Sequence, residues 1–194
     1  MQSLDKKIDE WEKRANKVLS HFNYDQADEI DLYNICWRYG IVIKPLGKEF
    51  FIENQEFTEI KNLKSFSIPS KNSRRGTIYI VPDLNPIEKR MLLAEEFCHI
   101  YSHYSSQLFM DKLSISKQES QAKRMAAYLL IPHEFLKEIY LAALNEPIMI
   151  SDIADYFLVS EEFAHYRLEL IHKYRVDGFV QIHERLWSIE MLNY

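Results

Sequence analysis

The chain has 194 residues, of which 47% are hydrophobic, with a formal charge of −5 at pH 7. Such a chain has enough apolar surface for a sizeable core, and it offers no electrostatic case for direct nucleic-acid binding as a main function. Its two cysteines, Cys36 and Cys98, exclude a disulfide framework and a four-cysteine zinc site. The segment Met1–Lys17 is charged throughout, so no signal peptide is expected, and the sequence has no apolar run long enough to span a bilayer. These features predict a cytoplasmic protein.

In chain order, Leu4, Ile8, Trp11, Ala15, Val18, Leu19 and Phe22 recur at helical spacing and predict an amphipathic first helix. Asp28 is the expected cap of a second helix through Tyr33, Cys36 and Trp37, closed by Gly40. Ile41–Pro45 reads as a short strand, and Phe50–Phe66 as polar, irregular chain with strand fragments. Thr77-Ile78-Tyr79-Ile80-Val81 is the clearest strand, entered through the solvated turn Asn72–Gly76 and ended by Pro82. Asn85-Pro86 then opens a long helix to about Tyr104. Ser116-Lys117-Gln118-Glu119 has the form of a capping box for a helix through Leu130, and Pro132 opens another to about Leu144. Ser151 and Ser160 are expected N-caps of helices Asp152–Phe157 and Glu161–Tyr174, with a hairpin or strand within Val176–Ile189. The fold class is therefore α+β, with a small sheet early and helices after it.

Chemistry concentrates on the helix from Pro86. Its segment Glu95-Glu96-Phe97-Cys98-His99 differs by one residue from H-E-x-x-H, the pattern that places two imidazoles on one helix face around Zn²⁺ with a glutamate to activate water. Residues 95, 99 and 103 form one stripe, presenting Glu95, His99 and His103, with Glu96 about 100° round the helix. The motif alone is weak, since two glutamates and a histidine also suit a solvated face. The apolar neighbours Leu92, Leu93, Ala94, Phe97 and Ile100 argue instead for the mouth of a pocket. Glu119 is the candidate third ligand, although local sequence slightly favours a cap for its own helix. Cys98 reads as a packed cysteine. Asp152–Ile171 has the outline of a helix-turn-helix, but Glu161 and Glu162 would repel phosphate, so it reads as a structural helix pair. His165 and His172 form a face-sharing pair without an evident third ligand.

Arg90-x-x-Leu93-Ala94-Glu95-Glu96-Phe97-Cys98-His99-x-x-x-His103 is followed by Glu119-x-x-Ala122-x-x-Met125-Ala126-Ala127-x-Leu129-Leu130-x-Pro132. Together these blocks resemble the ImmA/IrrE metallopeptidases, which typically show A-H-E-L-G-H and then E-x-x-A-x-x-F-A-x-x-L-L-x-P. The resemblance implies a zincin-like peptidase domain over 30–145, between an N-terminal helix at 1–29 and a helical extension at 146–194. It implies His99 and Glu119 as metal ligands, Glu96 as general base, and Glu95 where the first histidine ligand usually stands. His103 matches a histidine not usually counted as a ligand. An alternative register pairs His99 with His103 and Glu119.

Two carboxylates and one imidazole cancel the charge of a divalent ion, so its bound water is less acidified than in a two-histidine site. The extra oxygen ligand favours Mn²⁺ or Fe²⁺ relative to Zn²⁺. The family is bacterial, associated with phage-related and other mobile elements and with stress responses, and typically cleaves a transcriptional repressor. The resemblance thus implies a protein substrate. The Glu95 substitution also fits an inactive relative that serves as a protein-interaction module.

Overall fold

The structure, a computed structural model, describes residues 9–47, 50, 63–71, 73–103 and 112–190. Helix α1 spans Glu10–Leu19, capped by the Asp9 side chain, which accepts from the Trp11 amide at 2.8 Å. The expected helical residues Leu4 and Ile8 lie outside the described residues. A 3-10 turn at Ala27–Glu29 precedes α2, Leu32–Arg38. The cap of α2 is Asp31, which accepts from the Tyr33 and Asn34 amides, and not the expected Asp28, which falls in the 3-10 turn. Gly40 ends α2 as expected, at φ +66°, in the left-handed region where a Cβ is costly.

Strands β1 (Ile41–Pro45), β2 (Ser65–Pro69) and β3 (Gly76–Ile80) form a sheet in the order β1-β3-β2. β1 pairs with β3 in parallel, Ile43 opposite Ile78, and β2 pairs with β3 antiparallel, Ser67 opposite Ile78. β3 is therefore central, flanked on both sides, and has no free edge for a further strand. Ile78 and Ile80 point from β3 into the core, whereas Phe66, Ile68 and Tyr79 form a smaller cluster on the opposite face with Leu46 and Phe50.

Helix α3 runs Pro86–Ser102, with Asn85 as N-cap and proline in its first turn. It ends before the expected Tyr104, because His103 has already turned extended (φ −126°, ψ 131°). Helix α4, Lys112–Leu130, begins before the expected start. Ser116 thus lies inside the helix, the capping box does not form, and Glu119 is released from that local role. Helices α5 (His133–Ala142), α6 (Ile150–Phe157) and α7 (Glu161–His172) follow. Pro132 takes the N-cap position of α5. α6 starts earlier than expected, with Asp152 accepting from the Met149 amide in place of a Ser151 cap. Ser160 caps α7 as expected, its hydroxyl accepting from the Phe163 amide.

The closing hairpin joins β5 (Gly178–Ile182) and β6 (Arg185–Ile189) through His183 and Glu184, both at positive φ. A two-residue strand, β4 (Ile148–Met149), pairs with β5 and was not expected from the sequence. No helix among the described residues is long and apolar enough to cross a membrane.

The core lies where α3 meets the sheet and α4, around Ile78, Leu93, Phe97, Ile100, Met125 and Leu129, all at most 2% exposed. Gly76 makes this packing possible. A Cβ there would stand 2.5 Å from the Ile68 carbonyl oxygen and 3.0 Å from the Ile100 side chain. Gly76→Ala should therefore separate β2 from β3 and cost about 1–3 kcal/mol, read as a lower urea midpoint at unchanged slope.

Candidate metal centre

The apolar residues of α3 alternate in such a way that the helix is buried on more than one side. Leu93 and Phe97 pack inward, and Ala94, Cys98 and Tyr101 are buried with them. The polar residues between them are drawn in too. His99 is only 6% exposed, and Glu95 and Glu96 are half-buried. Helix α4 packs along α3 and brings Glu119 to His99, with 3.5 Å between Oε2 and Nε2. Two ligands of one tetrahedral ion, each about 2.0–2.1 Å from it, stand roughly 3.3 Å apart. The imidazole and carboxylate are thus spaced as a shared ion would require.

Glu96 turns to the other neighbour. Its Oε1 accepts from the Ser65 hydroxyl of β2 at 2.8 Å, with Ser67 as a further donor. Burial pushes the Glu96 carboxyl above the ordinary range, while His99 and the two serines pull it back. Glu95 is also raised by burial, with the Lys123 ammonium opposing the shift and Glu119 and Glu96 adding to it. Lys123 lies one turn along α4 from Glu119, its Nζ 5.0 Å from the Tyr166 ring.

His103 has left the helical stripe but remains near, its ring 6.0 Å from that of His99 and 6.3 Å from that of Trp11 in α1. Its Nε2 is buried without a hydrogen-bond partner among the described residues. Burial first, then the neighbouring His99 and Arg14, lower its pKa to about 4, so it is neutral near pH 7. No three His, Cys, Asp or Glu side chains among the described residues form a group that could hold a metal ion. The donor set fits a divalent cation in chemistry, and at the His99–Glu119 pair in spacing.

The remaining candidates resolve as structural. Cys98 is fully buried, and burial raises its thiol well above the ordinary range; Cys36 is pushed up to about 12. Arg167, within the helix-turn-helix outline, is 0% exposed and donates from Nε to the Ile131 carbonyl at 2.9 Å, so it is not presented to a ligand. His165 and His172 diverge. His165 Nδ1 lies 2.8 Å from the Val176 carbonyl and Nε2 lies 3.4 Å from Asp177, while His172 Nε2 lies 3.4 Å from the Tyr140 hydroxyl. Tyr101 packs into the core, and Tyr104 lies outside the described residues. A hollow of about 690 Å³ between α2 and the start of α3 is mainly apolar and lies away from Glu96.

Ser65, Ser67 and Lys123 were not singled out from sequence. The alternation Ser65-Phe66-Ser67-Ile68 carries a strand signal with both hydroxyls on one face, and Glu119 and Lys123 stand at i, i+4. Residues 54–169, more than half of the chain, match the peptidase M78 family, described as an IrrE N-terminal-like domain. The chain belongs to this peptidase family. No curated protein matches it.

Glu95 and Glu96 have folded pKa values raised above their unfolded values. Each therefore favours the folded state at pH below the unfolded value, and that contribution is lost as pH rises through the folded value. Glu95→Gln and Glu96→Gln should each raise the Tm of metal-free protein at pH 8, with the gain shrinking towards pH 4; thermal melts across that range read the effect.

Proposed function

We propose that the chain is a cytoplasmic metal-dependent endopeptidase acting on a regulatory protein, such as a repressor of a mobile element or stress response. The observation that carries this reading is the approach of Glu119 to His99 across two helices, beside a half-buried Glu96 on the same helix as His99. His99 and Glu119, with Glu95, would hold the ion, which is Zn²⁺ or, given two carboxylates, Mn²⁺ or Fe²⁺; His103 is the alternative ligand. A bound ion would supply Lewis-acid polarisation of the scissile carbonyl.

Glu96 is the general base. Burial raises its proton affinity, and the Ser65 hydroxyl holds one of its oxygens, which suits a carboxylate that takes a proton from water and passes it to the leaving amine. The strand offered to an extended substrate is β2, which has one free edge among the described residues and carries Ser65 beside Glu96.

The second reading is a non-catalytic member that binds a regulator. It is favoured by the Lys123 ammonium, which already offsets the Glu95 carboxylate.

Elemental mass spectrometry of protein purified without chelator or metal resin separates the two. The peptidase reading expects near-stoichiometric metal, lost in His99→Ala and Glu119→Ala. An empty native chain that fills only as Glu95→His would overturn it in favour of the interaction module. In the peptidase, Glu96→Gln should keep the metal and lower turnover of the cleaved protein by about 10²–10⁴-fold.

A further inference from the structure

Three arginines surround the corner where α2 turns into β1, and none forms an ion pair with a carboxylate among the described residues. The Arg38 guanidinium lies 5.6 Å from the Phe22 ring centroid, and that of Arg74 lies 4.2 Å from the Tyr101 ring. The Arg75 side chain crosses Gly40, with Cγ, Cδ and Nε each 3.4 Å from the place a Cβ would take. All three are exposed. Their charges converge, since Arg74 and Arg38 both act on the Tyr39 hydroxyl between them. Tyr39 in turn packs edge-on against Tyr101 and Phe97, at 5.4 Å in each case, so the corner is fastened to α3.

Several cations elsewhere in the chain meet carboxylates: Arg14 with Glu10, Lys64 with Glu88, Arg124 with Asp9, Arg175 with Asp177. At this corner aromatic faces and a bare glycine hold the side chains. A guanidinium stacked on a ring keeps its N–H edges available and has already lost part of its rotamer freedom. Trp37, next to Arg38, is 78% exposed, and Val42, at the start of β1, is 52% exposed. Arginine and tryptophan are the residue types that dominate interface energetics.

We propose that this corner is a docking surface for an acidic segment of a partner protein. Arg38, Arg74 and Arg75 pair with its carboxylates, and Trp37 covers an apolar residue beside them. Carboxylates suit the short-range, bidentate chemistry of isolated guanidiniums. A nucleic acid is disfavoured, because three contacts release few counterions and the chain carries net charge −5. The inference does not rest on the peptidase reading: docking is read without turnover or metal.

The test is fluorescence anisotropy of the full chain with a labelled eight-residue peptide of glutamates interrupted by two leucines. A peptide with glutamine for each glutamate and an eight-nucleotide oligothymidylate serve as comparisons. The acidic peptide should bind at low salt, weakening as salt rises. The double substitution Arg74→Gln, Arg75→Gln should weaken binding by about tenfold or more, and Trp37→Ala by several-fold. Arg185→Gln, on the exposed β5–β6 hairpin, should leave it unchanged. Arg38→Gln supplies an independent arm if the double variant melts early. Lack of binding, binding indifferent to these arginines, or oligothymidylate bound as tightly with the same arginine dependence would each overturn the proposal.

Discussion

Helix α3 is packed on one side against the β1-β3-β2 sheet and on another against α4, and the candidate centre follows from that double burial. Leu93, Phe97 and Ile100 are pinned in the core. The residues between them cannot rotate out to water without withdrawing those side chains. Glu95, Glu96 and His99 are carried inward by the helix that bears them. Burying carboxylates is unfavourable unless donors or opposite charges meet them, and here both carboxyls are pushed up by burial. A helix that served only as scaffold would have little reason to carry two adjacent glutamates into such a place.

The surroundings answer that burial from separate parts of the chain. β2 brings the serine hydroxyls to Glu96. α4 brings Glu119 to His99 and the Lys123 charge towards Glu95. α1 covers His103 with Trp11, and its N-cap Asp9 ties it to Arg124 and Tyr128 of α4. The serine hydroxyls and Lys123 reduce the penalty on the two carboxylates without removing it, whereas Glu119 adds to it. Residual polar strain of this kind is expected where a protein keeps a site ready for a ligand.

The C-terminal elements spend their ionisable groups differently. His165, Arg175 and Asp177 form a closed network that fastens α7 to the entry of β5, with Arg175 Nε donating to Asp177 at 3.1 Å. Arg167 reaches from α7 through the core to the backbone at the end of α4. These groups are turned into the fold, although both terminal nitrogens of Arg167 are buried without a hydrogen-bond partner among the described residues, whereas the arginines at the α2–β1 corner face outward. The same residue types therefore do opposite work according to what the fold places beside them.

Much of this was legible in the sequence. Helical and alternating periodicities located the elements, since burial on one face imposes those periods on any chain. Glu95, Glu96, His99 and Glu119 were marked by residue type and by two ordered motif blocks. What sequence could not decide depended on competition between local and distant partners. Ser116-x-x-Glu119 is a sound local cap, yet α4 starts upstream of it and Glu119 lies against His99. Asp28 and Asp31 are equally good caps, and the choice fell to Asp31. His103 shares a helical stripe with Glu95 and His99 only while the helix continues, and α3 stops just before it. The order of strands, which places β3 in the centre and β2 at Glu96, is set by side-chain packing across the sheet. The sequence alone determined which residues are candidates for the chemistry; only the tertiary structure decided which of them meet, because a side chain's partner is chosen by the whole packed surface around it and not by its neighbours along the chain.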